Sequence, residues 1–175
     1  METDMTKASK NNEQLLTGDI VHGLFSYDPT TGILIRKINV TYFAKTGQEA
    51  GWLDSSGYRR LEIKGKPYLV HRLAWFMTYG TWPEHQIDHV NGLRSDNRLL
   101  NLREATVFDN TRNAALRKDN SKGVKGVRKT GNLWYARIQV NGVNHSYGGF
   151  ADIESAKTAY ATAAKLYFGE FARLV

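Results

Sequence analysis

The sequence predicts an α+β protein built as two modules, and three observations carry that expectation. Short β-rich runs separated by Gly, Pro, Asn and Asp turns outnumber the helical stretches. A charged segment without apolar residues, RKDNSK at 117–122, interrupts the chain. After it, strands and turns begin again and close on an Ala-rich helix. The expected order is a flexible tail at 1–18, a first domain at 19–116, a linker at 117–122 and a second domain at 123–175.

The elements follow in order. Residues 1–18 are polar and without periodicity. Residues 24–38, LFSYDPTTGILIRKI, read as a hairpin, because Asp28-Pro29-Thr30-Thr31-Gly32 has turn chemistry between two β-rich runs. Gly57 and Gly65 bracket further short strands, with Leu61 and Ile63 on one face. At VHRLAWFMTY the period changes. Val70, Leu73, Ala74 and Met77 fall at i, i+3, i+4 and i+7, a helix face ended by Gly80 and Pro83. QIDHV at 86–90 is a short strand, Asn91-Gly92 a tight turn, and Leu99 to Arg103 the second short segment. Thr106 is the expected N-cap of a following helix, with Asp109 in its first turn. Beyond the linker, Gly126–Arg128, Leu133–Val140 and His145–Phe150 read as three strands. Asp152 caps a helix from Ile153 to Phe168 that Gly169 stops. Its stripe of Ile153, Ala156, Ala159, Tyr160, Ala163, Ala164 and Tyr167 suits close packing on a thin sheet.

Composition removes several function classes. The chain has 175 residues and no cysteine, which excludes disulfides, thiolate metal sites and a cysteine nucleophile. No apolar run approaches the ~18 residues of a membrane span, and METDMTKASKNNEQ is no secretory signal, so a cytoplasmic protein is expected. The net charge is +7. Residues 121–175 hold eight Lys and Arg against three Asp and Glu, so most of the excess sits there. A polyanion, nucleic acid before membrane surface, is the partner this favours.

One constellation carries chemistry: Asp88-His89, Asn101 and Asn110. A strand, a second strand and a helix start of this length fold back on themselves and gather an acid, an imidazole and two amides. Phosphodiester hydrolysis wants such groups. Asp88 and Asn110 offer oxygen to a hard divalent cation that keeps its waters, and His89 has the unperturbed pKa of a base at neutral pH. Asn101, or a carbonyl it positions, is the expected orienter of the imidazole. Among the neighbouring cations, Arg94, Arg98, Arg103 and Arg112 are candidates for phosphate contact. Asn91 and Asn97 read as turn residues, His71 as a hydrogen-bonded structural histidine and His85 as surface.

The stretch IDHVNGLRSDNRLLNLREATVFDN resembles HNH homing-type endonucleases, the ββα-metal fold. The upstream YDPTTG, AGWLDSSGYRRLEI and VHRLAW segments resemble phage-type members, so the similarity spans roughly 24–115. The resemblance implies His89 as general base, Asn101 as the residue steering it, and Asp88 with Asn110 as ligands of one Mg²⁺ or Mn²⁺. It also implies 5′-phosphate and 3′-hydroxyl products and a phage or mobile-element role.

The second module carries Lys125, Arg128, Lys129 and Arg137, interleaved with Trp134, Tyr135 and Tyr147, on strands that form a ribbon able to enter a DNA groove, with Trp134 expected in the core sooner than at a base. Gly126-Val127-Arg128, Trp134, Ala136, Ile138, Gly148, Phe150, Ala159-Tyr160 and Phe168-Gly169 resemble the APETALA-type (ethylene-response-factor) DNA-binding domain. That resemblance implies Lys125, Arg128 and Arg137 at DNA. Gln139, Asn144 and Ser146 depart from it. The combined expectation is a metal-dependent endonuclease acting on double-stranded DNA. The alternative is a catalytically inactive DNA-binding regulator on the same fold.

Overall fold

Asp28 shows how local chemistry builds the first hairpin. Its Oδ1 accepts from the Thr30 amide (2.9 Å) and hydroxyl (2.7 Å), while its backbone carbonyl takes the Gly32 N–H at 2.9 Å. Gly32 closes the turn at φ +75°. Strands β1 (Phe25–Asp28) and β2 (Ile33–Arg36) therefore pair antiparallel, with Phe25 opposite Arg36. The computed structural model describes residues 13–107, 109–110, 125–140 and 142–172. The chain divides into two units after Ala105, and the expected linker at 117–122 lies outside the described residues.

In the first unit, helix α1 (Gly18–Leu24) precedes the hairpin. No helix is expected here from the sequence, because seven residues containing two glycines lack a readable period. What holds it is a cap and burial: Thr17 Oγ1 accepts from the Ile20 amide, and Val21 is fully buried. A second sheet joins β3 (Trp52–Leu53), β4 (Arg59–Ile63) and β5 (Lys66–Leu69) in that order. Leu61 and Ile63 point into the core as their alternation requires. Helix α2 (Val70–Tyr79) follows β5 directly and ends on Gly80 at φ +74°. Strands β6 (Gln86–His89) and β7 (Leu102–Ala105) form a second hairpin, in which Asp88 faces Arg103 and His89 faces Leu102.

Two apolar clusters position these pieces. Val21, Phe25, Leu34, Leu61, Tyr68, Leu73 and Phe76 make the main core. Ala74 packs with Ile87 and Leu102, seating α2 against the β6–β7 hairpin. The expected face of α2 is buried except for the half-buried Met77, but His71 and Arg72 are buried too. Arg72 tolerates this because Glu13 takes it in a bidentate pair, with Nη2 to Oε2 at 2.8 Å, and the His85 and Pro83 carbonyls accept from its other N–H groups. Glu13 was expected in the flexible tail. Its burial corrects that boundary, because a buried guanidinium needs a carboxylate.

The second unit has the sheet β8 (Val127–Thr130), β9 (Leu133–Val140) and β10 (Val143–Phe150), with β9 central, and helix α3 (Ile153–Phe168) across one face. Asp152 caps α3 through the Ser155 amide at 2.8 Å. Ala156, Tyr160, Ala163 and Ala164 pack on Val127, Ala136 and Ile138. Trp134 and Tyr147 pack against this same core, so only Tyr135 of the three aromatics alternates with Arg128 and Arg137 on the opposite face. Period-2 alternation is the reason: Trp134 shares its side with Ala136 and Ile138. Among the described residues no helix is long and apolar enough to cross a membrane.

Candidate active site

His89 ends β6 and is buried. Its ring lies against His71 of α2, edge to face with centroids 5.1 Å apart, and against Tyr58 at 5.9 Å. Burial pushes the His89 pKa below its usual value, and Arg94 adds to this, against the opposing pull of Asn97, Asp88 and Asp96. The imidazole is therefore neutral at neutral pH. His89 Nε2 lies 3.2 Å from Asn97 Oδ1. An amide oxygen only accepts, so Nε2 carries the proton and Nδ1 is the basic nitrogen.

Asn97, expected as a turn residue, is thus the side chain that orients His89. Asn101 does something else. Its Oδ1 accepts from the Asn91 amide at 2.9 Å and its Nδ2 donates to the Asp96 carbonyl at 2.8 Å, while its carbonyl takes the Val90 N–H. It ties both ends of the 91–96 loop. The reason is position: Asn101 closes a 3₁₀ turn (Leu99–Asn101) at the base of the hairpin, whereas Asn97 lies in the loop that folds back over the ring. The segment is also braced from the first hairpin. Tyr27 Oη donates to the Asn97 carbonyl at 2.7 Å, Leu99 N donates to the Pro29 carbonyl at 2.9 Å, and a Cβ on Gly32 would stand 2.4 Å from Arg98 N.

Asp88 is buried beside His89. Arg103 reaches it across the hairpin, with Nε at 2.9 Å and Nη2 at 2.8 Å from Oδ2. Arg103, expected at phosphate, is here the partner of the candidate ligand. Arg94 lies over the Tyr58 ring at 4.9 Å and donates to the Ser56 carbonyl. Arg98 pairs with Asp96, whose pKa its hydrogen bonds hold down at about 2. His71 is deeply buried, and burial, then His89 and two arginines, holds its pKa well below the usual range. Among the described residues its Nδ1 has no hydrogen-bond partner, and the Tyr58 ring lies 5.4 Å away, centroid to centroid. His85 is exposed, as expected.

The model of the HNH endonuclease family matches residues 68–112. The chain is also 30% identical over 106 residues to Protein 3.8 of Escherichia phage T7, a similarity covering 59% of this chain and 87% of that protein. The chain belongs to the HNH endonuclease family. No solved structure matches it. The family match points to a nuclease and covers the β6–β7 hairpin with Asp88, His89 and Asn101.

HNH nucleases use divalent metal ions, and the donor chemistry in the first unit of this HNH endonuclease suits a hard one. Asp88 is a carboxylate, the donor that Mg²⁺ takes one or two of while keeping waters. Among the described residues no three His, Asp or Glu side chains gather as a cage. Asn110 stands in the second unit, in a helical turn where its amide donates to the Thr106 carbonyl at 3.0 Å. Thr106 and Asp109 cap that turn reciprocally. Arg112 lies outside the described residues. In the second unit Arg128 and Arg137 are exposed on the sheet face away from α3, and Lys125 is half-buried in the turn before β8.

Proposed function

We propose that this HNH nuclease is a divalent-metal-dependent endonuclease of double-stranded DNA, with His89 as its general base. The observation that carries the reading is the buried imidazole of His89, its Nε2 3.2 Å from Asn97 Oδ1, beside the buried carboxylate of Asp88. Nδ1 takes a proton from the attacking water. The new phosphorus–oxygen bond forms as the bond to the 3′ oxygen breaks, and that oxygen takes a proton from solvent water, giving 5′-phosphate and 3′-hydroxyl ends. Asn97 preserves the tautomer, and Asn101 keeps the loop closed over the ring. Asp88 is the proposed oxygen donor of the first unit to Mg²⁺ or Mn²⁺, and such an ion would supply charge stabilisation on the phosphate and on the departing oxygen.

Duplex DNA is the proposed substrate because Arg128, Arg137 and, across the ladder, Tyr135 occupy one sheet face with the uncharged Ser146 and Asn144 beside them. Lys125 and Arg112 join them as proposed phosphate contacts, and Arg94 is a proposed contact beside the cutting site. A phage or mobile-element setting is in keeping with the T7 relative.

Supercoiled plasmid provides the test. With Mg²⁺ the protein nicks or linearises it, with chelator it does not, and His89→Ala binds DNA without cutting. Cleavage by His89→Ala at the wild-type rate removes His89 from the mechanism. Binding without cleavage by the wild type, under any divalent metal, favours the inactive regulator.

A further inference from the structure

Between β2 and β3 the chain makes an excursion that no step of the reaction uses. Its base is closed by Arg36 N to the Gln48 carbonyl at 2.9 Å and Gly47 N to the Arg36 carbonyl at 2.8 Å. Above that, the Thr46 amide donates to Asn39 Oδ1 (2.9 Å), the Lys45 amide to Gln48 Oε1 (2.8 Å) and Val40 N to the Ala44 carbonyl (2.9 Å). Thr41 Oγ1 takes the Ala44 amide at 3.1 Å. The loop's polar groups thus hold its own tip, and the tip is Tyr42-Phe43. These rings are 78% and 85% exposed and meet edge to face with centroids 5.1 Å apart.

Such exposure needs a reason, because two adjacent aromatics on a braced turn are held out of every core of their unit. Charge names the partner. Residues 37–48 contain two lysines and no Asp or Glu. Lys45 Nζ sits 5.0 Å from the Tyr42 ring centroid, so a cation and a π-face are presented together. The next carboxylate, Glu49, is paired with Arg59 at 3.1 Å. A stiff, cation-flanked aromatic tip is the chemistry that stacks on bases or wedges into a base step.

We infer that the Tyr42–Phe43 tip is a second DNA-contacting element, separate from the cutting site, which inserts at unstacked or easily kinked steps of the duplex. The inference rests on the nuclease reading, in that it takes DNA as the substrate. Stacking differs from phosphate contact in one measurable respect: it adds affinity without releasing counterions.

The test is fluorescence anisotropy of the full chain, in chelator, on a matched duplex and on the same duplex carrying a tandem mismatch. The wild type is expected to prefer the mismatched DNA. Tyr42→Ala/Phe43→Ala is expected to bind about tenfold or more weakly, to lose that preference and to keep the wild-type salt slope. Lys45→Ala is expected to lower the slope. Equal affinity and preference in the double variant, with the wild type still binding and nicking plasmid, overturns the loop's role and leaves the nuclease reading intact. A wild type that neither binds nor cuts duplex DNA overturns the nuclease reading itself. Partition onto anionic phosphatidylserine vesicles that the double variant loses, with DNA binding unchanged, assigns the tip to a lipid surface and also overturns the inference. Circular dichroism and the melting curve of the double variant guard against misfolding, and Phe43→Leu, which keeps an apolar wedge but no π-face, is expected to fall between wild type and double variant.

Discussion

Asn97→Ala is the sharpest perturbation of the site. Asn97 is 2% exposed, and its Oδ1 is the acceptor 3.2 Å from His89 Nε2. The Asn97 carbonyl stays held by Tyr27 Oη, a phenol whose own pKa burial raises to about 12, so the substitution acts through the side chain. Removing the acceptor leaves a buried N–H without its partner, which costs about 1–3 kcal/mol of stability. It also frees the ring to turn and to exchange tautomers. Loss of an orienting bond of this kind lowers activity about 10–100-fold, or roughly 1.4–2.7 kcal/mol on the barrier. The assay is single-turnover nicking of supercoiled plasmid with Mg²⁺, with DNA affinity measured alongside. The expected result is a slower cleavage step at unchanged affinity. Asn97→Asp separates orientation from electrostatics. It keeps an acceptor but adds a charge that favours the imidazolium. The base then needs a higher pH to be neutral, so the acid limb of the rate profile moves up by about one unit or more. An Asn97→Ala protein that cuts at the wild-type rate across the pH range refutes the assignment of the orienting role to Asn97.

Three further outcomes are expected. Arg103→Ala leaves the Asp88 carboxylate buried without its cation, with side chains only 13% and 10% exposed, and should cost about 3–5 kcal/mol in urea denaturation; a loss under about 1 kcal/mol would show that the pair is solvated in solution. Burial depresses the pKa of His71 and His89 in the folded chain, so below their unfolded value near ~6.5 the unfolded state binds the extra protons. Stability is therefore complete above that pH and falls as the solution is acidified, by up to about 1.4 kcal/mol per pH unit for each histidine. His71→Phe should flatten this limb in thermal melts, and an unchanged slope would mean that His71 is not buried neutral. Arg128→Ala and Arg137→Ala should each reduce the salt slope of DNA binding by about one unit with little effect on melting temperature, and slopes equal to wild type would remove the outer sheet face from the DNA contact.

Much of the local structure was written in short-range chemistry. The Asp28 turn, the α2 face, the Asn91-Gly92 turn and the Asp152 cap each depend on residues within a few positions of one another. The second unit was legible for the same reason, since its strands follow one another with tight turns and its helix closes the module. Helix α1 was not, because its stability comes from burying Val21 in a core assembled from later strands. Tyr147 was set among the basic residues by proximity in sequence, but strand alternation sends it to the helix side, where Trp134 was expected.

At the candidate site the sequence alone determined the adjacency that matters for chemistry. Asp88 and His89 are neighbours on one strand, and Asn101 ends the turn that brings the second strand back, whatever the rest of the chain does. Only the tertiary structure decided which amide orients the imidazole, which cation sits on Asp88, that Glu13 reaches across to Arg72, and that His71 and Tyr58 enclose the base. The physical reason is reach. Turns, caps and alternation act over a few residues, whereas the proton-holding state of His89 is set by burial, and burial is a property of the whole folded unit.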